Sequence, residues 1–143
     1  MIKEHIKNMR ITNIVQTGFL NVPTSKMLAE FGNVLFLSES KFDPFKDETN
    51  IELIVTNVNN YAYGFKKKHG ILDVCFFGHC TCMADTRASI CAWVPEVRKN
   101  ALLFFKTEAV EETLEVINDY IGQVDPSLFE VTSEDSLVIV KVL

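Results

Sequence analysis

Met83–Phe105, MADTRASICAWVPEVRKNALLFF, is the stretch on which the fold reading turns. Thr86, Ser89 and Cys91 are small residues two or three apart, which suits a β-rich segment. The spacing therefore predicts one or two strands between Cys80 and Val94. Trp93 reads as a core aromatic and Glu96, after Pro95, as a solvated turn residue. Ala101–Lys106, ALLFFK, is a further apolar strand.

Outward from this stretch, the C-terminal third is regular. Val110, Leu114, Ile117 and Ile121 form an apolar stripe, predicting a helix from Glu108 to Ile121 with Gly122 at its end. Phe129–Thr132 and Leu137–Val142 read as closing strands. On the N-terminal side, Ile71–Phe77 and Asn33–Leu37 are apolar strands. Between them, Ile51, Ile54, Val55, Val58, Ala62 and Phe65 recur at three- and four-residue spacings. That pattern predicts a long helix over Asp47–Lys68, ended by Gly70. Ile11–Phe19 reads as a short strand and Ser25–Phe31 as one or two helical turns after Pro23.

Strand, helix, several strands, helix and strands in that order predict an α+β fold: a two-layer sandwich whose mostly antiparallel sheet carries two main helices on one face. A chain of 143 residues reads as a single domain, with 1–31 as an N-terminal extension and 32–143 as the core.

Composition narrows the function classes. The net charge is −5 and the one basic run, Lys66–His69, is short, so no nucleic-acid partner is expected. No apolar run reaches about 18 residues, so no membrane span is expected. The first 16 residues lack the apolar centre of a signal peptide, which implies a cytoplasmic protein with four reduced cysteines. His79-Cys80-Thr81-Cys82 invites a metal reading, but without a second spaced pair no metal site is assigned. There is no Gly-x-Gly-x-x-Gly, no P-loop and no nucleophile elbow.

The frame Ala84-Asp85-Thr86-Arg87-Ala88-Ser89-Ile90-Cys91-Ala92-Trp93-Val94-Pro95-Glu96 resembles the self-cleavage segment of the small, prokaryotic-type S-adenosylmethionine decarboxylases. In that family it reads Ala-Glu-Ser-His-x-Ser/Thr-Ile-His-Thr-Trp/Tyr-Pro-Glu, and the Glu–Ser bond breaks to make a pyruvoyl group. The resemblance implies catalytic roles for Asp85, Thr86, Ser89 and Cys91, with Thr86 at the cleaved position and Cys91 at the processing base. It places Glu96 and Trp93 near the substrate. Arg87 and Cys91 stand where the family has histidines, and Lys106-Thr107 where it has Thr-Cys. A hydroxyl must attack its preceding carbonyl, and a base must then remove a proton, before a keto group appears. With the base replaced, a pyruvoyl-type group from Thr86 is not expected, and the cofactor is left unassigned.

What the resemblance implies is a divergent lyase of polyamine biosynthesis that acts on or binds S-adenosylmethionine, as a homodimer or other homo-oligomer. The alternatives are a non-catalytic binding or regulatory subunit of the same fold, a cofactor-free S-adenosylmethionine-degrading lyase, and an unrelated α+β domain.

Overall fold

The computed structural model describes residues 2–18, 21–78 and 82–143. Its centre is a seven-stranded sheet. The strands are β1 (Asn13–Thr17), β2 (Asn33–Ser38), β3 (Ile51–Val55), β4 (Val74–Phe77), β5 (Leu102–Lys106), β6 (Phe129–Glu134) and β7 (Leu137–Val142). Their spatial order is β3-β2-β1-β4-β5-β7-β6. The first five are parallel, and β7 runs antiparallel to both β5 and β6.

Parallel neighbours cannot be joined by a tight turn; helices cross over between β1 and β2 and between β4 and β5, while residues 39–50 join β2 to β3 without a helix. Helix α1 (Ile2–Ile6) and helix α2 (Val22–Ala29) cover one face. The other face carries α3 (Val58–Tyr61), α4 (Phe65–His69), α5 (Met83–Trp93) and α6 (Val110–Val124). Successive strand residues serve opposite faces. On β4, Val74 and Phe76 join the cluster under α1 and α2, while Cys75 and Phe77 join the cluster under α4, α5 and α6. Beta5 divides the same way, with Leu102 and Phe104 on one face and Leu103 and Phe105 on the other. Each such side chain contributes about 1.5–3 kcal/mol when fully buried.

This architecture corrects the sequence expectation of a two-layer sandwich with a mostly antiparallel sheet and two helices on one face. The sheet is mixed and mainly parallel, and helices lie on both sides. Two local expectations also change. Residues 51–55 form β3, because Ile51–Val55 pairs in register with Val34–Ser38 and the ladder overrides the helical spacing. Helical structure begins only after Asn57, whose side chain accepts the Asn60 N–H at 3.2 Å. Gly64, at φ +75°, then separates α3 from α4. Residues 83–93 form α5, not strands. Thr86, Ile90 and Trp93 are its buried residues, at the four- and three-residue spacing of one helical face.

Residues 13–29, inside the stretch read from sequence as an N-terminal extension, supply the interior strand β1 and helix α2. Strands β5 to β7 and helix α6 fall within a few residues of the positions read from sequence.

A buried carboxylate ties the lower end of the sheet. Asp73 is 1% exposed and accepts the N–H groups of Thr12 at 2.6 Å and Asn13 at 3.1 Å. Its other oxygen pairs with the Arg98 guanidinium. The entry to β1, the entry to β4 and the loop before β5 therefore share one anchor.

Burial pushes the Cys75 thiol far above its ordinary range, whereas Cys82 and Cys91 are exposed. The thiolate is the reactive form. A thiol-alkylating reagent at neutral pH is expected to label Cys82 and Cys91 in the folded chain, and Cys75 only after denaturation. Peptide mapping checks this; labelling of Cys75 at the rate of Cys91 in the native protein would contradict it.

Candidate functional site

Beta1 sends its crossover, α2, to one face, while the helices that enter and leave β4 lie on the other. Beta1 and β4 are adjacent, so the chain direction of the fold reverses between them. Such a switch point leaves a crevice beyond the carboxyl ends of the strands, where open α/β sheets take their ligands.

The residues at that edge are well defined. Thr17 ends β1, and its carbonyl accepts the Gly78 N–H at 2.8 Å, so the two strands stay bonded to their last residues. Gly18 follows at φ +96°, a conformation that strains any residue with a Cβ. Asn21 caps α2 by accepting the Thr24 N–H at 3.0 Å, and Pro23 fits the first turn. Below the loop, the Ser25 hydroxyl donates to Gln16 Oε1 at 2.6 Å. Gln16 is fully buried, and its Nε2 has no partner among the described residues.

After β2, the Ser38 hydroxyl accepts the Ser40 N–H at 3.0 Å and sets a tight turn. Glu39, between them, is exposed and makes no ion pair or hydrogen bond among the described residues. It stands 21 residues after Gly18. In dinucleotide-binding α/β folds an acidic residue about 20 residues beyond the first glycine holds the ribose hydroxyls. The carboxyl ends of the neighbouring strands β1 and β2 are thus followed by a glycine at positive φ and by an exposed carboxylate.

The residues singled out from sequence lie elsewhere, on or just after α5. Thr86 is buried in its first turn. Its N–H donates to the Cys82 carbonyl at 3.2 Å and its hydroxyl to the same oxygen at 3.3 Å. The hydroxyl is thus directed back along the helix, away from the Asp85 carbonyl it would have to attack. Asp85 is exposed, Ser89 half-buried and Cys91 exposed. Thr86 and Cys91 face different sides of the helix, so they form no pair. Trp93 is fully buried and packs edge-on against Phe65, ring centres 5.8 Å apart. Glu96 accepts the Phe65 N–H at 3.1 Å, at the start of α4. Both serve the core and a helix end.

The metal reading of residues 79–82 falls mostly outside the described residues, since His79, Cys80 and Thr81 are not among them. Among the described residues no three His, Cys, Asp or Glu side chains are grouped as metal ligands. No helix of the described residues is long and apolar enough to cross a membrane.

No protein-family model matches this chain, and no curated protein matches it. Solved structures do. MycE methyltransferase of the mycinamycin biosynthetic pathway, with Mg, SAH (S-adenosyl-L-homocysteine) and mycinamycin VI, superposes at a TM-score of 0.76 and 17% identity. The match covers 99% of this chain and 44% of MycE, so this chain spans less than half the length of that protein. A candidate methyltransferase of Streptococcus mutans, solved with SAH, matches at a TM-score of 0.69 and 13% identity over 98% of this chain and 96% of its own. The N-methyltransferase NodS of Bradyrhizobium japonicum, also solved with SAH, gives 0.64 and 12% identity over 97% and 80%.

The fold is that of the Rossmann-like methyltransferases.

The methyltransferase fold overturns the resemblance to S-adenosylmethionine decarboxylase. The shared letters at 84–96 lie on a helix here, and the neighbours in structure space are methyltransferases. The expectations of a lyase, of decarboxylation, of a place in polyamine biosynthesis, and of a regulatory subunit or cofactor-free lyase built on that kinship fall with it. Gly18 and Glu39 are not among the residues that the sequence pattern singles out. The available signal was a strand ending at a glycine, a capped helix start, a second strand, and an acid at the right spacing. One glycine stands where a full nucleotide-binding loop has three, and this hid it.

Proposed function

We propose that this chain binds S-adenosylmethionine across the carboxyl ends of β1 and β2 and serves in methyl transfer. The observation that carries the reading is the β1/β4 switch point, with Gly18 at φ +96° directly after β1 and the exposed Glu39, without an ion pair among the described residues, directly after β2 at the same edge of the sheet. Structural neighbours with the same strand framework are methyltransferases solved with SAH.

Each group has a task. Glu39 accepts hydrogen bonds from the two ribose hydroxyls. Gly18 lets the backbone approach the ligand without a side chain between them. In the transfer, the acceptor's lone pair forms the new bond to the methyl carbon as the S–CH3 bond breaks. The electron pair of that bond stays on sulfur, which turns from a sulfonium into a neutral thioether. The leaving group needs no protonation, so the protein's work is alignment and exclusion of water.

Isothermal titration of SAH and of S-adenosylmethionine into the chain tests the reading. Binding of both is expected, and Glu39→Gln should weaken SAH by about tenfold, since a charge-assisted hydrogen bond becomes a neutral one. Absence of binding for both ligands at about 1 mM, a concentration that reveals even weak complexes, would refute the proposal.

A further inference from the structure

A second cleft lies on the α1 face, away from the β1/β4 edge. It has a volume of about 490 Å³, within the range of small-molecule sites. Its floor is Leu102 and Ile139, 8% and 3% exposed, with Met9 from the segment after α1. Leu102 is the first residue of β5, so this floor starts at the amino end of a strand, at the opposite edge of the sheet from the carboxyl ends that carry the proposed S-adenosylmethionine site.

The charged groups around the cleft fall into two sets. Arg98 and His5 are engaged: Arg98 holds Asp73 and the carbonyls of Lys99 and Arg10, and His5 holds Glu134. Lys141 and Glu130 are not. They are direct cross-strand neighbours on β7 and β6, yet neither makes an ion pair or hydrogen bond among the described residues. Asn100 lies beside them with its side-chain amide uncommitted. The cleft thus offers one free cation and one free anion on directly opposite strand residues, whose Cβ atoms stand about 5 Å apart, beside an apolar floor.

We propose that this cleft binds a small zwitterion with an apolar body, an α-amino acid with a large aliphatic side chain. Its carboxylate meets the Lys141 ammonium and the Asn100 amide. Its ammonium meets the Glu130 carboxylate, and its side chain covers Leu102, Ile139 and Met9. The ammonium and carboxylate of an α-amino acid are adjacent on one carbon, which suits adjacent cross-strand partners. An exposed Lys–Glu contact is worth about 0–1 kcal/mol, so the protein's own pair is a weak competitor.

The test is amide-resolved NMR titration of the chain with L-leucine, L-leucinamide and 4-methylpentanoate, with and without saturating SAH. L-Leucine is expected to shift residues 100–102, 130–132 and 139–141 with an affinity of about 1 mM or tighter. The two single-charge analogues should bind at least about tenfold more weakly. Lys141→Met and Glu130→Gln should each cost L-leucine a similar factor while leaving the melting temperature and SAH binding unchanged. Shifts confined to residues 17–21 and 38–41 and abolished by SAH would place the amino acid in the other site and overturn the proposal. Equal binding of the three probes, or no shift at about 20 mM, would also overturn it.

Discussion

Trp93→Ala is expected to destabilise the chain by about 3–5 kcal/mol, the range for removing a large aromatic from a core. Domains of this size are stable by about 5–15 kcal/mol, so the variant should sit near the edge of folding. Trp93 is fully buried between α5 and the sheet, in contact with Phe65 and within the cluster that holds Phe77, Phe105 and Ile117. Its indole N–H is buried without a partner among the described residues. Trp93→Phe therefore loses packing volume but also removes an unsatisfied donor, and should cost only about 1–2 kcal/mol. Urea unfolding of the three proteins measures both values. The decarboxylase resemblance placed Trp93 beside a substrate. The present structure predicts that Trp93→Phe leaves SAH affinity intact; a selective loss of affinity with stability unchanged would contradict the placement.

Asp73→Ala should cost about as much, roughly 3–5 kcal/mol, the penalty for breaking a buried ion pair from one side. The change takes from Arg98 its only carboxylate, leaving it the Lys99 and Arg10 carbonyls, and leaves the Thr12 and Asn13 N–H groups without their acceptor. Asp73→Asn keeps an acceptor oxygen for those N–H groups but no charge for Arg98, so its loss should be smaller. The double variant Asp73→Ala with Arg98→Met should recover part of the loss, because no guanidinium is then left unpaired. Chemical denaturation of the set measures the coupling. Full additivity of the two single changes would show that the carboxylate and guanidinium do not act together.

The elements that could be read from the sequence are those whose local pattern agrees with their final surroundings. Alpha6 shows its stripe plainly, since Val116, Ile117 and Ile121 are buried on one side of a helix. Beta5 and β7 are apolar runs that are buried on both faces. The same runs carry the signal for helices on both faces. NVLFL, VCFF, LLFF and LVIV do not alternate, and a half-exposed antiparallel strand would. Continuous apolar strands belong to a sheet covered on both sides, which calls for helices on both faces. Beta3 failed for the opposite reason. Ile51, Ile54 and Val55 fit a helical face, and only pairing with β2 makes them a strand. In α5 the small residues Thr86, Ser89 and Cys91 suggest a strand, whereas the spacing of Thr86, Ile90 and Trp93 is that of one helical face.

The candidate site was least legible because it is assembled from chain ends. Gly18 and Glu39 are single residues after two strands, brought to one edge by the β1–α2–β2 unit. Neither belongs to a dense motif. The polar groups that can be found by inspection, Thr86, Ser89 and Cys91, lie on a helix that packs the opposite face.

The most direct measurement is amide hydrogen exchange of the whole chain with and without SAH. The structure predicts added protection in two separated stretches, around 17–21 and 38–42, with the amino ends of the strands and α5 beyond its first turn unchanged. Protection confined to 84–96, or spread only over the cleft residues at 100–102 and 130–141, would contradict the assignment of the ligand site to the carboxyl edge of β1 and β2.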